Sequence, residues 1–357
     1  VNAAVAIKED RGDQTMATAT AVQKTFKLGG ELEIHRLGYG SMRITGQGIW
    51  GEPADRENAK KVLRRAVELG VDFIDTADSY GPAVSERLIG EALAPYAKGT
   101  VIATKAGLTR QGPDQWLPVG RPEYLTQQVE MSLRWLKRDR LDLWQLHRID
   151  AKVPVEESLG AIKTLQTAGK IRFVGLSEVT VEQIEQARKV VEIVSVQNEY
   201  NLGNRKSEAV LEYCERENLA FIPWFPVAAG KLAEPGGKLD ATAKKFGITV
   251  AQLSLAWLLH RSPVVLPIPG TSSVAHLEEN LKAADVTLSD AEWQMLEVDL
   301  GLKKSKTVAN ELKQDEDRGV VPVGAGDALA SDVDLDPEVS VGGEAVGGLR
   351  DGGEVAK

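Results

Sequence analysis

Four side chains have the types and spacing for proton chemistry. Asp75 and Tyr80 share the segment Asp75-Thr76-Ala77-Asp78-Ser79-Tyr80-Gly81, Lys105 closes the run Ile102-Ala103-Thr104-Lys105, and His147 closes Trp144-Gln145-Leu146-His147. Taken singly, each has an ordinary role. An Asp after an apolar run caps a helix or makes a turn, a Lys at a strand end is solvated, and a lone His or Tyr is packing. Taken together, their chemistry is complementary. A phenol titrates near 10 and is a poor proton donor or acceptor at neutrality. A nearby ammonium favours the phenolate and lowers that value. Lys105 supplies such a charge, Asp75 anchors it, and His147 can hydrogen-bond a substrate oxygen and share in proton delivery. The set is that of a tuned general acid, suited to protonating an oxygen as a hydride reaches a carbonyl carbon.

These residues need a scaffold that brings strand ends together. Eight nearly continuous apolar runs read as parallel strands covered on both faces: Leu37–Met42, Phe73–Ala77, Val101–Ala106, Leu141–His147, Phe173–Ser177, Ile193–Glu199, Phe221–Phe225 and Val264–Ile268. Amphipathic segments alternate with them: Asn58–Leu69, Glu123–Leu136, Val155–Ala168, Val181–Val190 and Ser207–Asn218. Gly70 and Gly169 suit left-handed stops, and Thr180 with Gln183 suits a capping box. The pattern predicts an α/β fold, a closed (β/α)8 TIM barrel whose site lies at the C-terminal ends of the strands. An open doubly wound sheet is the alternative, but Gly38-Tyr39-Gly40-Ser41-Met42-Arg43 lacks the third glycine of its fingerprint. Ahead of the first strand, Thr25–Leu28 and Glu31–Ile34 around Gly29-Gly30 predict a β-hairpin that caps the barrel bottom.

The chain has 357 residues, a net charge of −9 and one cysteine. The charge argues against nucleic acid as a partner, and a single cysteine excludes an internal disulfide or a multi-cysteine metal site. Cys214 falls on the apolar side of a helical pattern and reads as an inert core thiol. No apolar run reaches the ~18 residues of a membrane span; the expectation is no membrane partner, no metal, and a reducing, cytoplasmic setting. Residues 1–25 read as a flexible segment, with Met16 as a natural start and a transit peptide as the alternative. Residues 26–302 read as the barrel. Residues 303–357, without an aromatic side chain, read as a low-complexity mobile tail, with a tail bound over the body as the alternative.

Asp75–Gly81, followed by Ser85-Glu86-Arg87-Leu88-Ile89-Gly90, strongly resembles the aldo-keto reductase family, and the resemblance runs from about Phe26 to Leu300. It implies a barrel with a nicotinamide cofactor across its mouth, a small carbonyl substrate, and Asp75, Tyr80, Lys105 and His147 as the catalytic set. For the cofactor it implies Gly40, Ser41 and Met42. Ser177 and Gln197 would hold the carboxamide, with Glu178 where the family often has Asn. Trp224 would stack on the nicotinamide, although core packing is its plainer role. Phe225, Pro226 and Lys231 would lie over the pyrophosphate, and Ile268, Gly270, Thr271, Ser272, Glu279 and Asn280 would take the adenosine end. Two positions that are commonly basic are Gly270 and His276, which weakens the grip on a 2′-phosphate; NADPH is still preferred, with NADH as the alternative. Leu37–Met42, Trp116-Leu117-Pro118 and Ile268–Asn280 resemble the branch containing pyridoxine 4-dehydrogenases, or pyridoxal reductases. Pyridoxal would be the substrate, with Trp50, Trp116 and Arg148 beside it, and a broad-range aldehyde or ketone reductase as the alternative. The same resemblance also allows a cofactor-binding regulatory subunit of a channel-like partner. Oligomeric state is not set by any of these features.

Overall fold

Seven of the apolar runs form one parallel sheet in a computed structural model that describes residues 23–227 and 235–301. Its strands are β3 (Tyr39–Gly40), β4 (Phe73–Asp75), β5 (Val101–Ala106), β8 (Leu141–Leu146), β9 (Ile171–Ser177), β10 (Ile193–Gln197) and β11 (Ala220–Phe221), neighbours in chain order. The eighth run, Val264–Ile268, closes the barrel without being a regular strand. Val265 bridges Phe221, Leu266 donates to the Phe221 carbonyl at 2.8 Å, and Gly38 donates to the Pro267 carbonyl at 3.0 Å. The expected strand is reduced here because Pro267 and Pro269 have no N–H to give the ladder. The fold is thus the closed (β/α)8 barrel and not the open sheet. The segments of residues 1–22, including Met16, and of residues beyond 301 lie outside the described residues. The chain divides after Lys303, and every described residue belongs to the unit Val1–Lys303.

Helices α1 (Arg56–Glu68), α2 (Val84–Leu93), α3 (Pro122–Leu136), α4 (Val155–Thr167), α5 (Val181–Arg188), α6 (Glu208–Glu217), α7 (Lys238–Lys245), α8 (Val250–Arg261), α9 (Val274–Leu281) and α10 (Asp290–Asp299) accompany the strands. Neighbouring helices pack on one another, α1 on α2, α2 on α3 and α3 on α4. Thr180 and Gln183 form both bonds of the capping box, and Gly70 and Gly169 take φ of 90° and 79° just past the ends of α1 and α4. Cys214 is buried in α6, and burial pushes its thiol up to about 12, so it is inert.

The hairpin is β1 (Thr25–Leu28) with β2 (Leu32–His35). Leu28 pairs with Leu32, so the turn holds three residues, Gly29-Gly30-Glu31, and not the expected two. A Cβ on Gly29 would lie 2.4 Å from the Phe173 ring, near the start of β9, so the hairpin turn sits under the barrel. Phe26, Leu28 and Ile34 are buried there. A second hairpin, β6 (Leu108–Gly112) with β7 (Gln115–Pro118), was not foreseen. It follows β5 and overhangs the opposite rim. Among the described residues no helix is long and apolar enough to cross a membrane.

Arg36 joins the hairpin to the weak eighth segment. It is 2% exposed, and its guanidinium donates to the carbonyls of Val265 (3.1 Å), Gln23 (2.8 Å), Leu259 (2.8 Å) and Ser262. These bonds tie the end of α8 (Leu259, Ser262) and the segment ahead of the hairpin (Gln23) to Val265 of the eighth segment. Arg36→Met is expected to strand these carbonyls and lower unfolding stability by roughly 3 kcal/mol. Urea denaturation measures this, and an unchanged midpoint would show the closure to be held elsewhere.

Candidate active site

The register brings the polar strand ends into one ring. Gly40 faces Asp75, Lys105 faces Gln145, and Gln197 faces Ser177. Past the end of β4 the pairing continues, because Asp78 donates its N–H to the Lys105 carbonyl at 3.0 Å. The chain then turns, and Tyr80 swings back over the rim.

Lys105 and Asp75 form a buried ion pair at 2.7 Å, with exposures of 0% and 2%. The ammonium also donates to the Thr76 carbonyl at 2.7 Å and approaches the Tyr80 hydroxyl at 3.4 Å. The other Asp75 oxygen accepts from Gln197 Nε2 at 2.8 Å and from Gln145 Nε2 at 3.4 Å. Burial works against the Lys105 ammonium, but Asp75 and Tyr80 outweigh it and hold it above its ordinary value. Burial also acts on Tyr80, and here the expected direction is reversed. Removal from water raises the phenol by more than Lys105 lowers it. The phenol is therefore kept protonated, which is the state a proton donor needs. His147 lies edge-on to Tyr80, with centroids 5.9 Å apart, and its Nδ1 is 3.3 Å from the Ser79 hydroxyl. Burial, followed by the charges of Lys105, Arg148 and Arg110, lowers its imidazole well below 6.5, so it is neutral.

These groups open onto a groove of about 680 Å³, within the usual range of ligand sites. Its lining includes Asp75, Tyr80, His147, Arg148, Ser177, Gln197, Trp116 and Trp224, with Phe225, Pro226, Ile268, Gly270 and Asn280 leading away from them. Gly40 and Met42 line the near wall. An aromatic face, amide and hydroxyl groups beside it, and an apolar channel ending at Asn280 fit a nicotinamide dinucleotide. Trp224, Ser177 and Gln197 would hold its reactive ring.

Other expected residues stand elsewhere. Ser41 is fully buried, and its hydroxyl donates to the Asp75 carbonyl at 2.8 Å and meets Ser85 Oγ at 2.7 Å, so it locks the strand ends and does not face the groove. Trp50 is 37% exposed and bridges Gly81 through its backbone; the preceding Ile49 lines the groove instead. Ile49 ends a short 3-10 turn with φ 53°, and the Trp50 ring that follows it lies against the Arg110 guanidinium at 5.8 Å. Thr271 and Ser272 line an adjoining cavity of about 550 Å³. Glu279 is half-buried beside Asn280 and lines neither cavity. Lys231 lies outside the described residues.

One contributor, Arg110, and the partners of Glu178, Trp116 and Arg148 escaped the sequence. Glu178 adopts φ 53°, and its carboxylate accepts from Trp224 Nε1 at 2.7 Å and from the Glu199 N–H at 2.6 Å. It fixes the indole. Arg110, from the overhanging hairpin, stacks 3.6 Å over the Trp116 ring. Trp116 meets Tyr80 and His147 edge-on at 6.4 and 6.3 Å. Arg148 donates to the His147 carbonyl at 2.6 Å and to Ser177 Oγ at 3.1 Å.

Residues 36–298 match the family described as the Aldo/keto reductase family. The chain is 52% identical over 290 residues to an uncharacterized oxidoreductase of Schizosaccharomyces pombe, spanning 81% of this chain and 94% of that one. It is 43% identical over 272 residues to the pyridoxine 4-dehydrogenase of Escherichia coli, spanning 74% and 94%. A crystal structure of an aldo-keto reductase from Klebsiella pneumoniae in complex with NADPH superposes with a TM-score of 0.65 at 28% identity, covering 77% and 94%.

Behind the ion pair lies a further buried acid, Glu86 of α2, which accepts from Thr104 Oγ1 at 2.6 Å. Burial raises its carboxyl to about 7 against the opposing pull of Thr104 and Lys105. A carboxyl raised in the folded state gives stability that is complete below its unfolded value and lost as pH rises through the folded one. Glu86→Gln keeps an acceptor for Thr104 and removes that dependence. Relative to the variant, the parent chain is expected to lose about 1–3 kcal/mol between pH 5 and pH 8. Urea melts of both proteins across that range read the difference; parallel profiles would contradict it.

Proposed function

The chain belongs to the aldo/keto reductase family, and on that premise we propose that it reduces pyridoxal, at its aldehyde, to the alcohol with NADPH. Membership makes it an NAD(P)H-dependent oxidoreductase of small carbonyl compounds; the substrate, the cofactor preference and the residue roles are our reading. The barrel of residues 26–302 carries the reaction. The observation that supports it most is the Lys105 ammonium 3.4 Å from the Tyr80 hydroxyl, at a groove whose far wall is Trp224.

When bound, the reduced nicotinamide supplies a hydride to the carbonyl carbon. Trp224, held by Glu178, gives the ring a flat apolar face, and Ser177 and Gln197 offer hydrogen bonds at its carboxamide. With Nδ1 accepting from Ser79, neutral His147 carries its proton on Nε2 and can direct it at the carbonyl oxygen. Tyr80 then donates its proton to that oxygen as negative charge develops there. The phenolate left behind is stabilised by Lys105, whose charge is balanced by Asp75. Solvent reprotonates Tyr80 for the next turnover. In the reverse direction the same phenolate accepts the proton of the alcohol.

The reading of pyridoxal rests on the wall opposite Trp224 and on the similarity to the pyridoxine 4-dehydrogenase. Trp116 offers an aromatic edge beside Tyr80 and His147, and Arg148 adds a cation facing the groove. A flat heteroaromatic aldehyde with an acidic ring hydroxyl suits this pair better than an aliphatic one does.

Steady-state kinetics on a panel of aldehydes test both levels. The expected kcat/KM for pyridoxal exceeds that for butanal by more than about tenfold, the scale of one good polar contact. Equal values would leave a broad-range reductase. Tyr80→Phe is expected to bind NADPH as the parent does and to lose roughly 10²–10⁴ in kcat; full turnover would overturn the assignment of the acid.

A further inference from the structure

We infer that Arg43 recognises the 2′-phosphate of the adenosine end and so sets the preference for NADPH, an assignment that rests on the cofactor reading above.

Gly270 stands where resemblance leads one to expect a basic side chain. The structure shows why none can stand there. At the seam between β3 and the eighth segment the backbones nearly touch, and Gly40 donates to the Pro269 carbonyl at 3.3 Å. A Cβ on Gly270 would lie 2.8 Å from the Gly40 carbonyl oxygen, and one on Gly40 would lie 2.6 Å from that of Ile268. Real Cβ atoms do not approach backbone so closely, and neither strand can yield without opening the barrel. A cation for this end of the groove has to come from another element.

Arg43 is placed to supply it. It follows β3 by three residues, in the short turn Ser41–Ile44. Its Cγ lies 3.5 Å from where a Cβ of Gly270 would be, so the stem runs beside the bare glycine. It lines both the main groove and the adjoining cavity, and is thus at their junction. The side chain is exposed, and among the described residues it has no hydrogen bond or ion pair. Most of the described arginines are held by a carboxylate or a carbonyl; of those that are not, Arg43 is the one that lines these cavities.

The surroundings favour an anion. Thr271 and Ser272 line the same cavity. Thr271 Oγ1 accepts from the Ser273 N–H at 3.0 Å, which leaves its proton to donate. The N-terminus of α9 follows immediately, adding its partial positive charge. The one acid in the cavity wall, Asp114, has its Oδ2 against Gly48, 3.0 Å from where a Cβ there would be. A guanidinium fork next to two hydroxyls suits a phosphate monoester, whose oxygens take bidentate bonds. A ribose 2′-hydroxyl would gain little from the same charge.

The test is binding, not turnover. The full-length protein without added cofactor is titrated with NADPH, NADH, 2′,5′-ADP and 5′-AMP, using quenching of tryptophan fluorescence for the first two and calorimetry for the others. For Arg43→Ala the dissociation constants of NADPH and 2′,5′-ADP are expected to rise about 10–100-fold, the loss of one charge-assisted pair. Those of NADH and 5′-AMP should change by less than about twofold, and the NADPH affinity should lose part of its salt dependence. Arg43→Lys should recover only part of the loss. Equal weakening of NADPH and NADH would place Arg43 on the pyrophosphate or the adenine and overturn the proposal, as would no change in either. Failure of the parent protein itself to bind NADPH would remove the cofactor reading and this assignment with it.

Discussion

A positive and a negative charge, both out of water, hold the mouth of this barrel together. Lys105 and Asp75 meet at 2.7 Å with almost no solvent contact. Removing such charges from water is costly, and their attraction offsets that cost only when every remaining donor and acceptor is met. Here they are met by Thr76 and Tyr80 in the turn after β4, Gln145 on β8 and Gln197 on β10. The pair dictates where Tyr80 can put its hydroxyl. It also explains why Gln197, placed by sequence against the cofactor carboxamide, spends its amide nitrogen on Asp75, with the rest of its side chain left to face the groove.

Two opposed effects act on the neighbouring titratable groups, and burial wins on both. Tyr80 is raised despite the ammonium beside it, and His147 is lowered by burial with the nearby cations adding to it. The outcome is a division of protonation states: the phenol keeps its proton and the imidazole is neutral, which in the proposed mechanism makes the first the donor and the second the directing group. In that mechanism Lys105 serves less to make the resting phenol acidic, since the phenol is raised despite it, than to accommodate the phenolate formed on transfer.

Much of this was legible in the chain, and the failures share a cause. Runs such as Val101–Ala106 and Leu141–Leu146 became strands because a buried parallel strand is apolar on both sides, which a sequence displays directly. Val264–Ile268 looked the same, but Pro267 within it and Pro269 just after it have no N–H to give, so it closes the barrel without a regular ladder. Asp75, Lys105 and His147 could be brought together because each ends a run. Which way a rim side chain faces is not written locally. Ser41 looked like a cofactor contact and is bound to Ser85; Trp50 looked like a substrate wall, and Ile49 is there instead. Glu178 looked like a flawed carboxamide ligand, yet its partner is Trp224, forty-six residues later. Arg43 went unmarked, since the case for it lies in a glycine on the other side of the seam, and the motif beside it, Gly40-Ser41-Met42, pointed at its neighbours.

The central claim is that a buried, protonated phenol, not an imidazolium, gives the proton. Single-turnover reduction of pyridoxal by the preformed NADPH complex, followed by loss of nicotinamide absorbance between pH 6 and pH 9, tests it directly. Tyr80, raised above its ordinary value, predicts a rate that stays level across this range. A rate falling steadily as pH rises through 6 to 7.5 would report a titrating histidine as the donor and contradict the account.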